Sequence, residues 1–355
     1  MKKLILLIFL ASCSAIYIET AEEIQLNEQT ILQPTQTTAQ EQEQPQIIKT
    51  KNPLTGIYYE GEKEFHPVAV VINNITAALP QSGISEADVI YEVLSEGGIT
   101  RLIAIFTNSE AEKIGPIRST REYFSNIALE WNAPLVHHGG SPSGYNAIRS
   151  LNINNMDGFY LEGTYFWRDE ERRRRGLLEH SSYTNWENIL SFLENSERGT
   201  SYWQGVYFKE ELENYEKTEI KEVIINFSTA HEARFILEDN IFRRYQRGIE
   251  HIDEHTNKQI YANNLIIQRA THSQIANDPE GRININLTGS GIGYLITKHG
   301  YKEITWQHTE AGTLWNTLAG DNITLSPGKT WVSIIGTGQN VTLVTPMEDS
   351  EENYS

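Results

Sequence analysis

The chain has 355 residues, with 47 Asp and Glu against 29 Lys and Arg, and a formal charge of −18. Such a surplus of carboxylates argues against nucleic acid as a partner, because neutralising phosphates requires surplus Lys and Arg, and equally against nonspecific adhesion to anionic lipid. Cys13 is the one cysteine, which leaves no disulfide and no cysteine-ligated metal site.

The chain opens with Lys2 and Lys3, an apolar run from Leu4 to Leu10, and then Leu10-Ala11-Ser12-Cys13. This order reads as the export signal of a bacterial lipoprotein, since an apolar run of about seven residues is too short to span a bilayer as a helix. Small residues before the cysteine suit a lipoprotein signal peptidase. The expectation is diacylglycerol on Cys13, further acylation such as palmitate, and cleavage before it. Loss of Met1 to Ser12 removes Lys2 and Lys3 and takes the formal charge from −18 to −20. No other apolar run reaches the ~18 residues of a membrane helix, so the lipid is the expected attachment, on the extracytoplasmic face of the cell membrane.

Residues 14–51 are rich in Gln, Glu and Thr, carry Pro34 and Pro45, and bury too little apolar surface to offset their ordering entropy. They read as a disordered tether with a reach of roughly 35 Å. The acidic tail 347–355 is expected to fray. Between them the pattern predicts an α+β protein: a mixed α/β domain over 52–215 and a mainly β domain over 221–346.

In the first half, Pro67 to Ile72, Val89 to Leu94, Arg101 to Phe106 and Pro134 to Val136 are short apolar runs that predict strands. Ser119-Thr120-Arg121-Glu122 spells a capping box, followed by Tyr123, Phe124, Ile127, Ala128 and Trp131 at helical spacing. A second helix is predicted over Tyr183 to Leu193. In the second half, strands at hairpin spacing are predicted at Val223–Phe227, Ile241–Tyr245, Ile260–Ile267, Ile283–Leu287, Tyr294–Thr297, Thr330–Ile335 and Val341–Val344, with turns at Thr256-Asn257 and Pro327-Gly328.

Several segments also carry a resemblance. Asn52-Pro53-Leu54-Thr55-Gly56, Pro67 to Asn74, Pro80-Gln81-Ser82-Gly83, Ala87 to Glu92, Glu96 to Arg101 and Gly115 to Ser119 occur in that order. Gly139-Gly140-Ser141-Pro142, Tyr245-x-Arg247-Gly248, His251-x-Asp253, Asn264 and Pro327 to Trp331 follow. Together they resemble the YerB-like family of bacterial envelope lipoproteins over residues 52–336. The resemblance implies a two-domain, lipid-anchored protein of unestablished activity. Where relatives tend to read Ala-Pro-His-Asn before a Tyr-Thr pair, this chain has Leu178-Glu179-His180-Ser181-Ser182-Tyr183-Thr184; it keeps His180 and Tyr183 and lacks the proline and asparagine.

Apparent catalytic motifs do not survive physical scrutiny. His251-Ile252-Asp253-Glu254-His255 fits a zinc-peptidase spelling, but that motif works on one helix face, and this segment follows a strand and enters a turn. Gly289 to Gly293 lacks the spacing and following helix of a phosphate loop. Gly140 to Gly144 has proline where a nucleophile elbow needs serine. No motif calls for a cofactor or a metal. Glu92 and Glu96 are about 13 Å apart along a strand, beyond the ~5–9.5 Å of a glycosidase pair.

Arg118 and Arg121 stand at a helix start, where the backbone is electropositive, a poor place for a cation unless a carboxylate or a ligand anion meets it. Salt bridges to Glu92, Glu96 or Glu122 are one reading. A bound carboxylate or phosphate is the other, with Arg101 in the same cluster. His137 and His138 end a strand, so only one of them enters a given pocket. His180 and Tyr183 stand across the Arg168–Arg175 segment, whose basic run Arg172–Arg175 reads as a solvated or protease-sensitive loop, with phosphate groups of wall polymers or lipid heads as the alternative it could face. Two functions follow. One is noncatalytic binding of an anionic wall component or protein partner by Arg101, Arg118, Arg121, His137, Glu96 and Tyr183. The other is an envelope hydrolase or transferase acting on glycan or peptide, with Glu92 or Glu96 as acid or base and His138 or His180 as partner.

Overall fold

A computed structural model describes residues 48–194, 206–212 and 219–346. Cys13, the signal, the tether up to residue 47, part of the boundary between the halves and the tail 347–355 lie outside them. The described residues belong to one compact unit. Among them no helix is long and apolar enough to cross a membrane.

Apolar runs buried on both faces, such as Val68–Asn73, Thr100–Phe106 and Thr330–Gly336, form the centre of a ten-stranded mixed sheet, as expected where both sides of a sheet are covered. Its order is Gly312–Thr317, Gly300–Thr309, Ser290–Thr297, Asn264–Ala270, Thr330–Gly336, Val89–Leu94, Thr100–Phe106, Val68–Asn73, Leu135–His137 and Asn155–Asp157. The two halves of the chain meet inside it. Thr330–Gly336 pairs in parallel with Asn264–Ala270 on one side and with Val89–Leu94 on the other.

Side chains alternate across this sheet. Val68, Val70, Ile72 and Ile90 enter one core with Val223, Ile225, Phe235 and Phe242 of a second, smaller sheet. Ala69, Val71, Val89, Tyr91 and Val93 enter the other, under Tyr123, Phe124, Ile127 and Ala128 of the helix Glu122–Glu130. The smaller sheet is an antiparallel meander of Val341–Val344, Glu222–Asn226, Glu232–Glu238, Ile241–Gln246 and Ile249–Glu250, with Tyr261–Ala262 paired to Ile241–Gln246. The fold is α+β, as the patterning predicts.

Local details differ from the sequence reading. The helix begins at Glu122 with Arg121 as its N-cap and no side-chain cap bond. Ser119 does not cap it, because the chain stays extended through residue 120: Arg118 N donates to Val71 O and Thr120 N to Gly139 O. The next predicted helix starts only at Trp186, capped by the Asn185 side chain, and Tyr183 pairs with Trp167 in a two-stranded sheet. Gly139-Gly140-Ser141-Pro142 leads into an additional helix, Pro142–Ser150, with Ser141 Oγ accepting from Gly144 N at 3.0 Å. The basic run forms a short helix, Glu170–Arg174, in which buried Arg172 donates to the carbonyls of Ala77 and Pro80. Arg173, Arg174 and Arg175 are exposed.

Candidate functional site

By strand parity Glu92 points toward the smaller sheet, where it is fully buried. Arg244, inward-facing on Ile241–Gln246 between Phe242 and Gln246, donates to both Glu92 oxygens at 3.0 Å. Asn74 Nδ2, Thr100 Oγ1 and His231 also contact Glu92 Oε1, at 3.0, 2.8 and 2.7 Å. Burial alone raises a carboxyl, but Arg244 and the His231 hydrogen bond outweigh it and hold Glu92 at about 2. A carboxylate so deep and so saturated has no route to a substrate, so Glu92 is removed as an acid or base. It bridges neither Arg118 nor Arg121.

Arg121 meets Glu96 on the opposite face, together with Arg101. The Ser95–Gly98 turn carries Glu96 across to Arg101 and Arg121, whose Nη2 atoms both donate to Glu96 Oε1, while Arg121 Nε donates to Oε2 at 3.1 Å. Burial raises this carboxyl too, but Arg101 and Arg121 pull it down to about 2. The bland reading of the arginines as salt-bridge partners thus holds for Glu96, yet the cluster is not closed. It floors a cleft of about 670 Å³ with Arg118, Arg168 and Arg282, lined also by Glu96, Glu179 and Glu280, and Arg168 and Arg282 pair with Glu162 and Asp278 at 2.8 Å each. Arg101 is almost wholly buried, and its Nε has no hydrogen-bond partner among the described residues. Burial and the Arg121 charge lower it to about 10. Arg118 reaches Glu179 at the mouth, at 3.2 Å, and that glutamate is largely exposed.

The cleft wall is set by Asp157, at the end of a parallel strand. Its carboxylate accepts from Gly139 N at 2.8 Å, Phe159 N at 2.9 Å and Tyr145 Oη at 2.7 Å. Of the two histidines, His138 lines the cleft. Arg168 Nη2 can only donate, so His138 Nε2 accepts from it at 2.8 Å and Nδ1 carries the proton, facing Ser182 Oγ at 2.9 Å. Burial and then Arg168 push this imidazole down to about 4. It is neutral near pH 7, with its lone pair already engaged.

His137, expected in the pocket, turns the other way and is fully buried; its Nδ1 meets Gly139 O at 2.8 Å and its Nε2 the Asn155 side chain at 3.2 Å. Tyr183 is also removed from the ligand set. It is fully buried, with Lys113 Nζ 4.5 Å above its ring and the Gly115 backbone against its edge, where a Cβ would fall at 2.8 Å. His180 does not line the cleft: its Nδ1 lies 2.7 Å from Asn73 Nδ2, and burial and Arg118 lower its pKa. Neither Arg168 nor Arg282 stands out in the sequence as a ligand group, because both lie far along the chain from Arg101, Arg118 and Arg121.

The zinc-like spelling lies on a hairpin. Ile252 bridges Gln259, and Asp253 accepts from Gly83 N, Ser85 N and His255 N. His251 is buried between Arg244 and Gln81, at 2.6 Å from each, while His255 faces Glu86 at 3.6 Å.

A second cleft, of about 600 Å³, escaped the sequence reading. Three of the quoted segments converge on it: Gly328 N donates to Thr55 O, Asn52 Nδ2 approaches Asp88 Oδ1 at 3.4 Å, and Lys329 Nζ donates to Ala87 O at 2.6 Å. Burial lowers the Lys329 ammonium and raises the Asp88 carboxyl.

Residues 54–201 match the family described as "Protein of unknown function (DUF3048) N-terminal domain", and residues 223–332 match its C-terminal domain. Over 294 residues the chain is 33% identical to "Putative lipoprotein YerB" of Bacillus subtilis (strain 168), covering 81% of this chain and 86% of that protein. The crystal structure of the YerB protein from Bacillus subtilis aligns with a TM-score of 0.70 at 29% identity, covering 83% of this chain and all of that one.

Proposed function

The chain belongs to the DUF3048 family, and from that premise we propose that it is an envelope protein, lipid-anchored through Cys13, that binds an anionic component in the arginine cleft without turning it over. The lipobox and the lipoprotein relative support the anchor. The observation that carries the binding reading is that the acid-base candidates facing the cleft are already locked by arginines. Glu96 is ionised between Arg101 and Arg121, and His138 is neutral with Nε2 engaged by Arg168. General acid-base work needs a group poised near the working pH with a free proton or lone pair, and neither meets that need. Five arginines that converge on one cleft and can exchange a carboxylate partner for a ligand's are suited to holding an anion.

The test compares the chain lacking residues 1–13 with its Arg118→Ala/Arg121→Ala variant after incubation with fractionated envelope extract, using native mass spectrometry. An intact anion retained by the parent and lost by the variant is the expected result. A cleaved or modified ligand would instead establish the hydrolase or transferase reading. No retained mass on either protein would leave the arginines as partners of Glu96 and Glu179 alone.

A further inference from the structure

The lip of the arginine cleft is apolar. Phe159, Tyr160 and Leu178 all line it, and they are 66%, 75% and 54% exposed. Scattered exposed apolar residues need no explanation, but three at one mouth, above a cationic floor, do. They also sit on anchored backbone. Asp157 holds Phe159 N at 2.9 Å, Arg168 Nη1 donates to Leu178 O at 3.0 Å, and Arg118 Nη1 donates to Glu179 O at 3.1 Å. The same arginines that face the cleft therefore fix one side of its lip. Exposed Arg173, Arg174 and Arg175 lie three to five positions before Leu178, with Arg173 and Arg175 paired to Glu170 and Glu171.

Resting on the anion-binding reading above, we infer that the anion is the phosphate of a membrane lipid, with Phe159, Tyr160 and Leu178 entering the apolar layer beneath the headgroups. Cations that meet phosphate, beside exposed aromatic and aliphatic side chains that meet acyl chains, are the two halves of an interfacial binding face. A free sugar phosphate would satisfy the arginines and leave the lip in water. The carboxylate excess of the whole chain disfavours general adhesion to an anionic bilayer, so binding depends on the apolar lip and on a lipid phosphate replacing carboxylates that pair the cleft arginines.

The chain lacking residues 1–13, which keeps every described residue, is sedimented with phosphatidylglycerol vesicles and with phosphatidylcholine vesicles. In parallel, glycerol 3-phosphate binding is followed by NMR. Co-sedimentation with phosphatidylglycerol is expected, reduced at least tenfold by Phe159→Ser/Tyr160→Ser/Leu178→Ser and by Arg118→Ala. The lip variant is expected to keep its glycerol 3-phosphate shifts, which also reports that it is folded. Glycerol 3-phosphate binding without vesicle binding, or vesicle binding indifferent to the lip, would overturn the lipid assignment and leave the anion site standing. Failure to bind vesicles or glycerol 3-phosphate would overturn the lipid assignment and remove its support from the anion site as well.

Discussion

Arg244 and Glu92, 152 positions apart, form a bidentate pair in which both side chains are fully buried, and the pair joins the smaller sheet to the ten-stranded one. The guanidinium lies 4.7 Å from the Trp331 ring, on the strand where the two halves of the chain meet. Stacking on an aromatic face and forking onto a carboxylate are both arginine geometries that lysine does not reproduce.

Removing one partner strands the other charge in the core. Arg244→Met is expected to cost about 3–5 kcal/mol, and Arg244→Lys a substantial part of that. Adding Glu92→Gln to Arg244→Met removes the stranded charge and is expected to recover stability. Urea unfolding of the three variants decides this. A double variant no more stable than Arg244→Met alone would show that the penalty comes from lost packing on Trp331.

Acid should unfold the protein in two stages. His138 and His272 are held at about 4, below the ordinary 6.5, chiefly by burial. The unfolded chain therefore takes up these protons first, and stability present above pH 6.5 declines as pH falls toward 4. Glu92 and Glu96 titrate at about 2 in the fold against an ordinary 4.5, so their contribution is intact above pH 4.5 and is lost toward pH 2. Unfolding free energies across pH 2–8 check the profile. His138→Gln is expected to make the upper stage shallower by its own share, leaving those of His272, His180 and His251 and the lower stage in place; an unchanged upper stage would assign that loss to the other histidines.

The second cleft makes a separate prediction. Gly328 has φ of +132°, and a Cβ there would fall 2.1 Å from Asn263 Oδ1, the acceptor of Lys329 N. Gly328→Ala is expected to destabilise by about 1–3 kcal/mol through strain and the lost Asn263 contact. Lys329→Met removes a cation that draws the buried Asp88 carboxyl downward, so NMR should find Asp88 titrating at still higher pH. A change in the opposite direction would mean that Lys329 is too distant or too screened to act on it.

The contrast between Glu96 and Glu92 shows what was legible in the sequence. Arg101, Arg118, Arg121 and Glu96 lie within 26 positions, and their turn and helix-start chemistry brings them together locally. The strands Val89–Leu94 and Thr330–Gly336 were likewise visible as buried apolar runs. Glu232–Glu238 was missed because its outward side chains are polar or half-exposed and dilute the apolar signal of Ala233 and Phe235. The Arg244–Glu92 pair could not be read at all. It depends on one sheet packing on another, and alternation tells which side of a strand a residue faces without telling what it meets there. The choice between His137 and His138 failed for the same reason: parity requires that they diverge, and only the position of Arg168 decides which one reaches the cleft.

Glu96 offers the sharpest separation of binding from catalysis. Its carboxylate occupies the same guanidinium forks that a ligand anion would use, and it acts there as an internal competitor. Glu96→Gln keeps the shape, removes the charge and replaces one acceptor oxygen with an NH2 donor that cannot accept from an arginine, which frees Arg101 and Arg121 to meet an incoming anion. Affinity for glycerol 3-phosphate, measured by NMR titration, is therefore expected to rise about three- to tenfold, the range of a partly exposed charge pair of ~1 kcal/mol. If Glu96 instead orders the arginines for the ligand, affinity falls and Glu96→Asp restores part of it. If it serves as an acid or base, the substitution leaves ligand retention intact and abolishes the cleaved product in the extract experiment. The three outcomes differ in sign and in readout, so one substitution discriminates among competitor, positioning group and catalyst.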